Sequence, residues 1–223
     1  MAHTAHSPAL MHQFETKEQQ HEAGNLGMWV FLVTEIMFFG GVFMAYIVYR
    51  ALHFESFLTG SHMLDVTFGA TNTAVLICSS LTMALAIHAA QTGKSKSTII
   101  TYLVLTMLLG AAFLGIKFTF EWSHDWTEGL VPGLHFTYSG VHAPGVEMFF
   151  CFYFFMTGLH ALHMIIGLGI LTTLTVMASR GRFNAEYYAP LEVSGLYWHF
   201  VDIVWIFLFP LLYLIGGRYG GGH

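Results

Sequence analysis

Five runs of about twenty or more mostly apolar residues divide this sequence, and no other feature constrains its fold as strongly. They cover residues 27–49, 66–90, 97–120, 145–178 and 194–215. A helix needs about 20 such residues to cross a hydrocarbon core of ~30 Å, and in lipid only helices or closed barrels satisfy their own backbone. Charged residues make up 9% of the 223, against roughly 25% in an ordinary soluble domain, and the mean hydropathy is +0.61. The expected fold is an all-α integral membrane protein, a bundle of five transmembrane helices over residues 26–217, with polar tails at 1–25 and 218–223.

Local signals fix the ends of the runs. Arg50 closes the first, Gly93 suits a helix C-cap after the second, and Ser97 is a candidate N-cap for the third. Pro144 fits the first turn of the fourth helix, and Pro210 predicts a kink in the fifth. The stretch from Glu121 to Pro144 holds Trp122, Trp126, Phe136 and Tyr138 and reads as an aromatic interfacial loop. Lys117, at the end of the third run, reads as a snorkelling lysine.

An odd number of crossings puts the termini on opposite sides. Lys17, Lys94, Lys96, Arg180 and Arg182 fall on one side and Arg50, Lys117 and Arg218 on the other. The positive-inside rule then places the N-terminus in the cytoplasm and the C-terminus outside. The first 24 residues carry His3, His6, His12 and His21 among acids, unlike the basic start of a signal peptide, and read as an uncleaved tail. Those histidines lack the tight spacing of a zinc site. A net charge of −5 with no basic run gives no footprint for nucleic acid. Cys78 and Cys151 lie within apolar runs and read as small, reduced core residues.

Ionisable groups inside the spans are expensive and mark the places to look for function. Glu35 stands about 12 Å into the first span at 1.5 Å per residue. It could relay protons, regulate a pathway in a neighbouring subunit, or act as a neutral acid bonded between helices. His160 and His163, three apart on one helix face, could ligate a metal or haem, with His88 or His199 as the opposite axial ligand, or could bond across the bundle. Glu192, His199 and Asp202 form an acid, imidazole, acid row that suits a proton wire or a docking network. Trp198 and Trp205 read as packing and membrane-interface anchors, and Glu147 as an acid placed for its helix N-terminus. Phosphate loops, a nucleophile elbow and Cys-x-x-Cys are absent from the sequence.

The fifth span, Tyr197-Trp198-His199-Phe200-Val201-Asp202-Ile203-Val204-Trp205-Ile206-Phe207-Leu208, closely resembles the signature of subunit III of the haem–copper terminal oxidases. Gly158-Leu159-His160-Ala161-Leu162-His163-Met164-Ile165-Ile166-Gly167 is similar to that family's Gly-x-His-x-x-His-x-x-x-Gly helix. Gly27-Met28-Trp29 and Thr34-Glu35-Ile36-Met37-Phe38-Phe39 resemble its glutamate-bearing helix. The match runs from about Gly27 to Ile215 and fits the bacterial five-helix form, without the two helices that precede this one in seven-helix members and build one wall of a lipid cleft.

The resemblance implies a non-catalytic accessory subunit of a proton-pumping terminal oxidase in the bacterial cytoplasmic (inner) membrane. Cytochrome c oxidase is expected first; a quinol oxidase or nitric oxide reductase complex is the alternative, and a b-type haem carrier a more distant one. It implies no cofactor in this subunit, haem and copper in partner subunits, and bound phospholipid. Oxidase subunits I and II are the expected partners, with a small subunit IV and a respiratory supercomplex as further candidates. It also implies that the chain stabilises subunit I and supports proton uptake. Glu35 matches the family's intramembrane glutamate; Glu147, His160, His163, Glu192, His199 and Asp202 are implied to serve inter-helix networks or lipid contacts.

Overall fold

The computed structural model describes residues 14, 16–184 and 187–215; His3, His6, His12, Arg218 and the tail at 218–223 lie outside them. Helix α1 spans Lys17–Leu52, α2 Phe54–Met63, α3 Val66–Gln91 and α4 Lys96–Ile116. A π-helical turn at Lys117–Trp122 carries α4 into the short α5, Ser123–Thr127; α6 spans Ala143–Ser179 and α7 Ala189–Tyr213. Among the described residues, five continuous helices are long and apolar enough to cross a membrane: Glu18–Leu52, Val66–Gln91, Lys96–Thr127, Ala143–Ser179 and Ala189–Tyr213.

Helix ends follow from capping chemistry. The Thr16 hydroxyl accepts from Gln19 N at 3.1 Å and starts α1 well inside the stretch expected to be a polar tail, since Glu-Gln-Gln-His-Glu-Ala are compatible with helix. Asp65 caps α3 through Thr67 N at 2.7 Å. Ser95, not Ser97, caps α4 through Thr98 N at 3.3 Å. Gly93 takes φ of +63° after α3, and the next amide, Lys94 N, bonds Ala89 O at 2.9 Å, the pattern that closes a helix with glycine. Pro144 sits in the first turn of α6 as expected.

Helices α3, α4, α6 and α7 pack in a ring, α2 lies on α6, and α1 leans on α7 and α2 from the side. At the centre of the ring is the Trp198 indole, 1% exposed, from α7. Gly110 of α4 and Gly167 of α6 admit it: a Cβ on either would stand 2.8 Å from an indole carbon. Its Nε1 donates to Ser79 Oγ of α3 at 3.1 Å, and Trp205 Nε1 donates to Thr73 Oγ1 at 3.1 Å. Both tryptophans are therefore core anchors, not membrane-interface residues, because α3 supplies hydroxyls that satisfy the indole N–H away from water. A hydroxyl pair, Thr82 and Thr106 at 2.8 Å, ties α3 to α4.

Two other expectations change. Cys78 and Cys151 are free but exposed on the outer surface of the bundle, not buried in its core. The aromatic loop is shorter than expected, because α4 continues through the π-helical turn and α5 before the chain leaves helix. The remaining loop folds on itself through Thr137 N to Gly129 O at 2.9 Å, and Glu147 Oε1 accepts from Gly133 N at 3.0 Å. Glu147 thus clasps the loop to α6 instead of serving its own helix terminus.

Gly167→Leu should destabilise the purified chain by about 1–3 kcal/mol through overpacking against Trp198. Thermal unfolding in detergent checks this, and an unchanged midpoint would contradict the close approach.

Candidate functional site

Lys117 does not snorkel. At the start of the π-helical turn, on the buried face that α4 presents through Gly110 and Phe113, it points into the bundle, is 1% exposed and meets Glu121, one turn along its own segment, at 2.7 Å. The ammonium has three protons, and all three find acceptors: Glu121 Oε2, Tyr153 Oη of α6 at 3.0 Å and Tyr213 Oη of α7 at 2.6 Å. Glu121 in turn accepts from both tyrosine hydroxyls and, through Oε1, from Asn72 Nδ2 of α3 at 3.3 Å. The ammonium also lies 4.7 Å from the Tyr153 ring centroid and 5.1 Å from that of Trp205. Asp125, one turn further on, is buried beside this cluster, and a cavity of about 370 Å³ lined by Glu121, Asp125 and Tyr153 opens at this end of the bundle.

A second pairing joins α1 to α6. His163 Nε2 lies 3.2 Å from Glu35 Oε2, and His163 Nδ1 lies 2.8 Å from Leu159 O. A carbonyl can only accept, so Nδ1 carries a proton, and Nε2 and the carboxyl then share the next one. The pair is a neutral acid with a neutral imidazole or a carboxylate with an imidazolium; its net charge is zero in either form. Phe39 packs edge-on to the imidazole, and Tyr197 Oη donates to His163 O at 2.9 Å.

The remaining candidates separate. His160 turns into the core between Phe113 and Trp205, ring centroids 5.3 and 5.2 Å away, and neither of its ring nitrogens bonds a described residue. His160 and His163 therefore do not converge on one ligand position, and His88 is exposed near the end of α3. Among the described residues no group of three or more His, Cys, Asp or Glu side chains is arranged to hold a metal ion.

The expected row on α7 is broken as well. Glu192 stands 3.4 Å from His21 Nε2 of α1, while His199 Nδ1 pairs with Ser80 Oγ of α3 at 2.6 Å and not with Asp202. Asp202 is 3% exposed, and neither carboxylate oxygen makes a hydrogen bond to a described residue. Glu192 and His199 are seven residues, about 10 Å, apart along α7, so Glu192 meets α1 while His199 and Asp202 lie opposite Ser80 of α3.

Removing Lys117 alone, as Lys117→Met, should cost about 3–5 kcal/mol, because Glu121 is left buried and uncompensated; adding Glu121→Gln should recover much of that loss. A double-mutant cycle on unfolding free energies measures the coupling, and additivity would argue against a pair. Glu35→Gln should leave the chain's stability within about 1 kcal/mol, since an amide can donate to His163 Nε2, whereas Glu35→Leu should cost about 1–3 kcal/mol. Equal loss in both variants would show that the carboxyl itself is required.

Comparison with known proteins bears on the whole arrangement. The family profile described as Cytochrome c oxidase subunit III matches residues 11–217. Quinol oxidase subunit 3 of Bacillus subtilis (strain 168) is 30% identical over 202 residues, covering 89% of this chain and 92% of that protein. Cytochrome bo(3) ubiquinol oxidase subunit 3 of Pseudomonas aeruginosa is 32% identical over 205 residues, covering 89% and 90%. The Probable quinol oxidase subunit 3 of Staphylococcus haemolyticus is 27% identical over 208 residues, covering 93% and 96%. Five membrane-spanning helices and bacterial relatives of this kind make it a multi-pass protein of the bacterial inner membrane. The chain belongs to the subunit III family of the haem–copper oxidases.

Proposed function

We propose that this chain is the accessory third subunit of a proton-pumping terminal oxidase, docking beside the subunit that carries haem and copper, stabilising it and supporting proton uptake. The observation that supports this reading is the pairing of Lys117 with Glu121 and of Glu35 with His163 between helices and within the bundle. Lys117 is saturated by Glu121 and two tyrosines, and Glu35 shares a proton with His163. In this reading electron transfer falls to partner subunits I and II, with bound phospholipid and a small subunit IV completing the assembly.

Two readings of the electron donor are kept. Cytochrome c is the donor that the family resemblance puts first; quinol is supported by the names of the relatives in Bacillus subtilis and Pseudomonas aeruginosa. Oxygen uptake by the purified complex with reduced cytochrome c and with a quinol, each as sole donor, decides between them.

Affinity purification through a tag on this chain should bring down haem, copper and oxygen-reducing activity. The chain stripped from that complex should show no Soret absorption. A Soret band from the isolated chain would overturn the accessory reading.

A further inference from the structure

Asp202 poses the sharpest unanswered question in the bundle. It lies about 20 Å along α7 at 1.5 Å per residue, near the middle of a helix that runs Ala189–Tyr213. Ser80, opposite it, is near the middle of α3. Around them α3 and α7 leave a groove of about 410 Å³, open to the lipid-facing side. Its rims are the exposed side chains of Ile77 and Leu81 from α3 and Ile203 and Ile206 from α7. Its polar wall is Ser80, His199 and Asp202.

The nearby donors are few. The Ser80 hydroxyl stands beside the Asp202 carboxylate and pairs with His199 Nδ1 at 2.6 Å, and its single proton can fill no more than one of the carboxylate's acceptor sites. The next hydroxyls along α3, Thr73 and Ser79, donate to Gly69 O and Thr106 O while accepting from the two buried indoles. The Asp202 side chain lines this apolar groove, and its buried oxygens, with no hydrogen bond to a described residue, keep unused acceptor capacity. An acyl chain fills such a groove but donates nothing, and a lipid headgroup sits well above this depth. At mid-bilayer a partner must satisfy its own backbone and so enters as a helix, and a buried acid is matched by a cationic or amide side chain.

We propose that the groove between α3 and α7 receives a transmembrane helix of the catalytic oxidase subunit, which carries a hydrogen-bond-donating, cationic or amide side chain that closes on Asp202. The inference rests on the accessory-subunit reading above and goes beyond it by naming the face and the anchoring residue. Ile77, Leu81, Ile203 and Ile206 supply the apolar contact on either side; Asp202 sets register and depth.

The test uses the complex purified through the catalytic subunit, with three changes made in this chain. Asp202→Leu should release the chain from the complex at least tenfold faster than wild type in detergent, and Asp202→Asn only a few-fold faster, since an amide oxygen still accepts. Ile203→Trp, which blocks the groove and leaves the acid in place, should match Asp202→Leu. A photo-cross-linking amino acid in place of Leu81 should label a transmembrane segment of the catalytic subunit that bears the donor. Unchanged release in both Asp202→Leu and Ile203→Trp overturns the proposal, as does labelling confined to lipid or to a second copy of this chain. Should Asp202→Leu lower the melting point of the isolated chain, Ile203→Trp and the cross-link decide. If the wild-type chain accompanies no haem-bearing subunit at all, the accessory reading itself fails, and it fails before any variant is made.

Discussion

One buried ion pair holds four helical segments of this bundle in register. Lys117 and Glu121 sit on the π-helical turn that follows α4, Asn72 reaches them from α3, Tyr153 from α6 and Tyr213 from the end of α7. In lipid the hydrophobic effect does not press helices together, because acyl chains are as apolar as leucine; packing and hydrogen bonds must do it. The buried pair fixes its neighbours, since sliding α3, α6 or α7 past it would break the hydrogen bonds that Asn72, Tyr153 and Tyr213 make to it. Lys117 extends the buried stripe of α4 that runs through Leu103, Thr106, Gly110 and Phe113, so a regular helical spacing brings its stem into the bundle as the π-helical turn begins.

The Trp198 wedge and the ion pair divide the labour between them. Near mid-depth, Gly110 and Gly167 let an indole fill the centre of the ring, which fixes how closely α4, α6 and α7 approach. Towards the far end of α4, the polar cluster fixes their rotation. Helix α1 takes part in neither. It is joined to the rest through Glu35 with His163, through His21 with Glu192, and through Tyr46 Oη, which donates to Leu211 O at 2.8 Å near the end of α7.

The spans were legible in the sequence because length and apolarity alone define them, and Gly93 and Pro144 marked their boundaries by backbone geometry. The family was legible in Tyr197 through Leu208 and in the two histidines of α6. The pairing of side chains was not. Glu35 stood out as an intramembrane acid, yet nothing in a linear run says that its partner is His163. Lys117 was misread because it closes an apolar run, where a lysine ordinarily reaches for water. The signal that could have found the cluster is its spacing: Lys117, Glu121 and Asp125 follow one another at four-residue intervals, a separation that pairs on a helix. Trp198 and Trp205 were misplaced for the opposite reason, since their hydroxyl partners on α3 lie more than a hundred residues away in the chain.

Sequence separation also sets the order in which these contacts can form. Lys117 and Glu121 neutralise each other as soon as their own turn is helical, within a single segment of nascent chain. Glu35 has no such local relief: His163 lies 128 residues downstream, so α1 enters the bilayer long before that imidazole is synthesised. An acid at the centre of a helix adds about 2.5–3.5 kcal/mol to the cost of insertion, and here that cost falls on a span made well before its partner. The apolar surroundings of Glu35, from Phe31 to Phe39, are thus as much a provision for biogenesis as for the finished bundle.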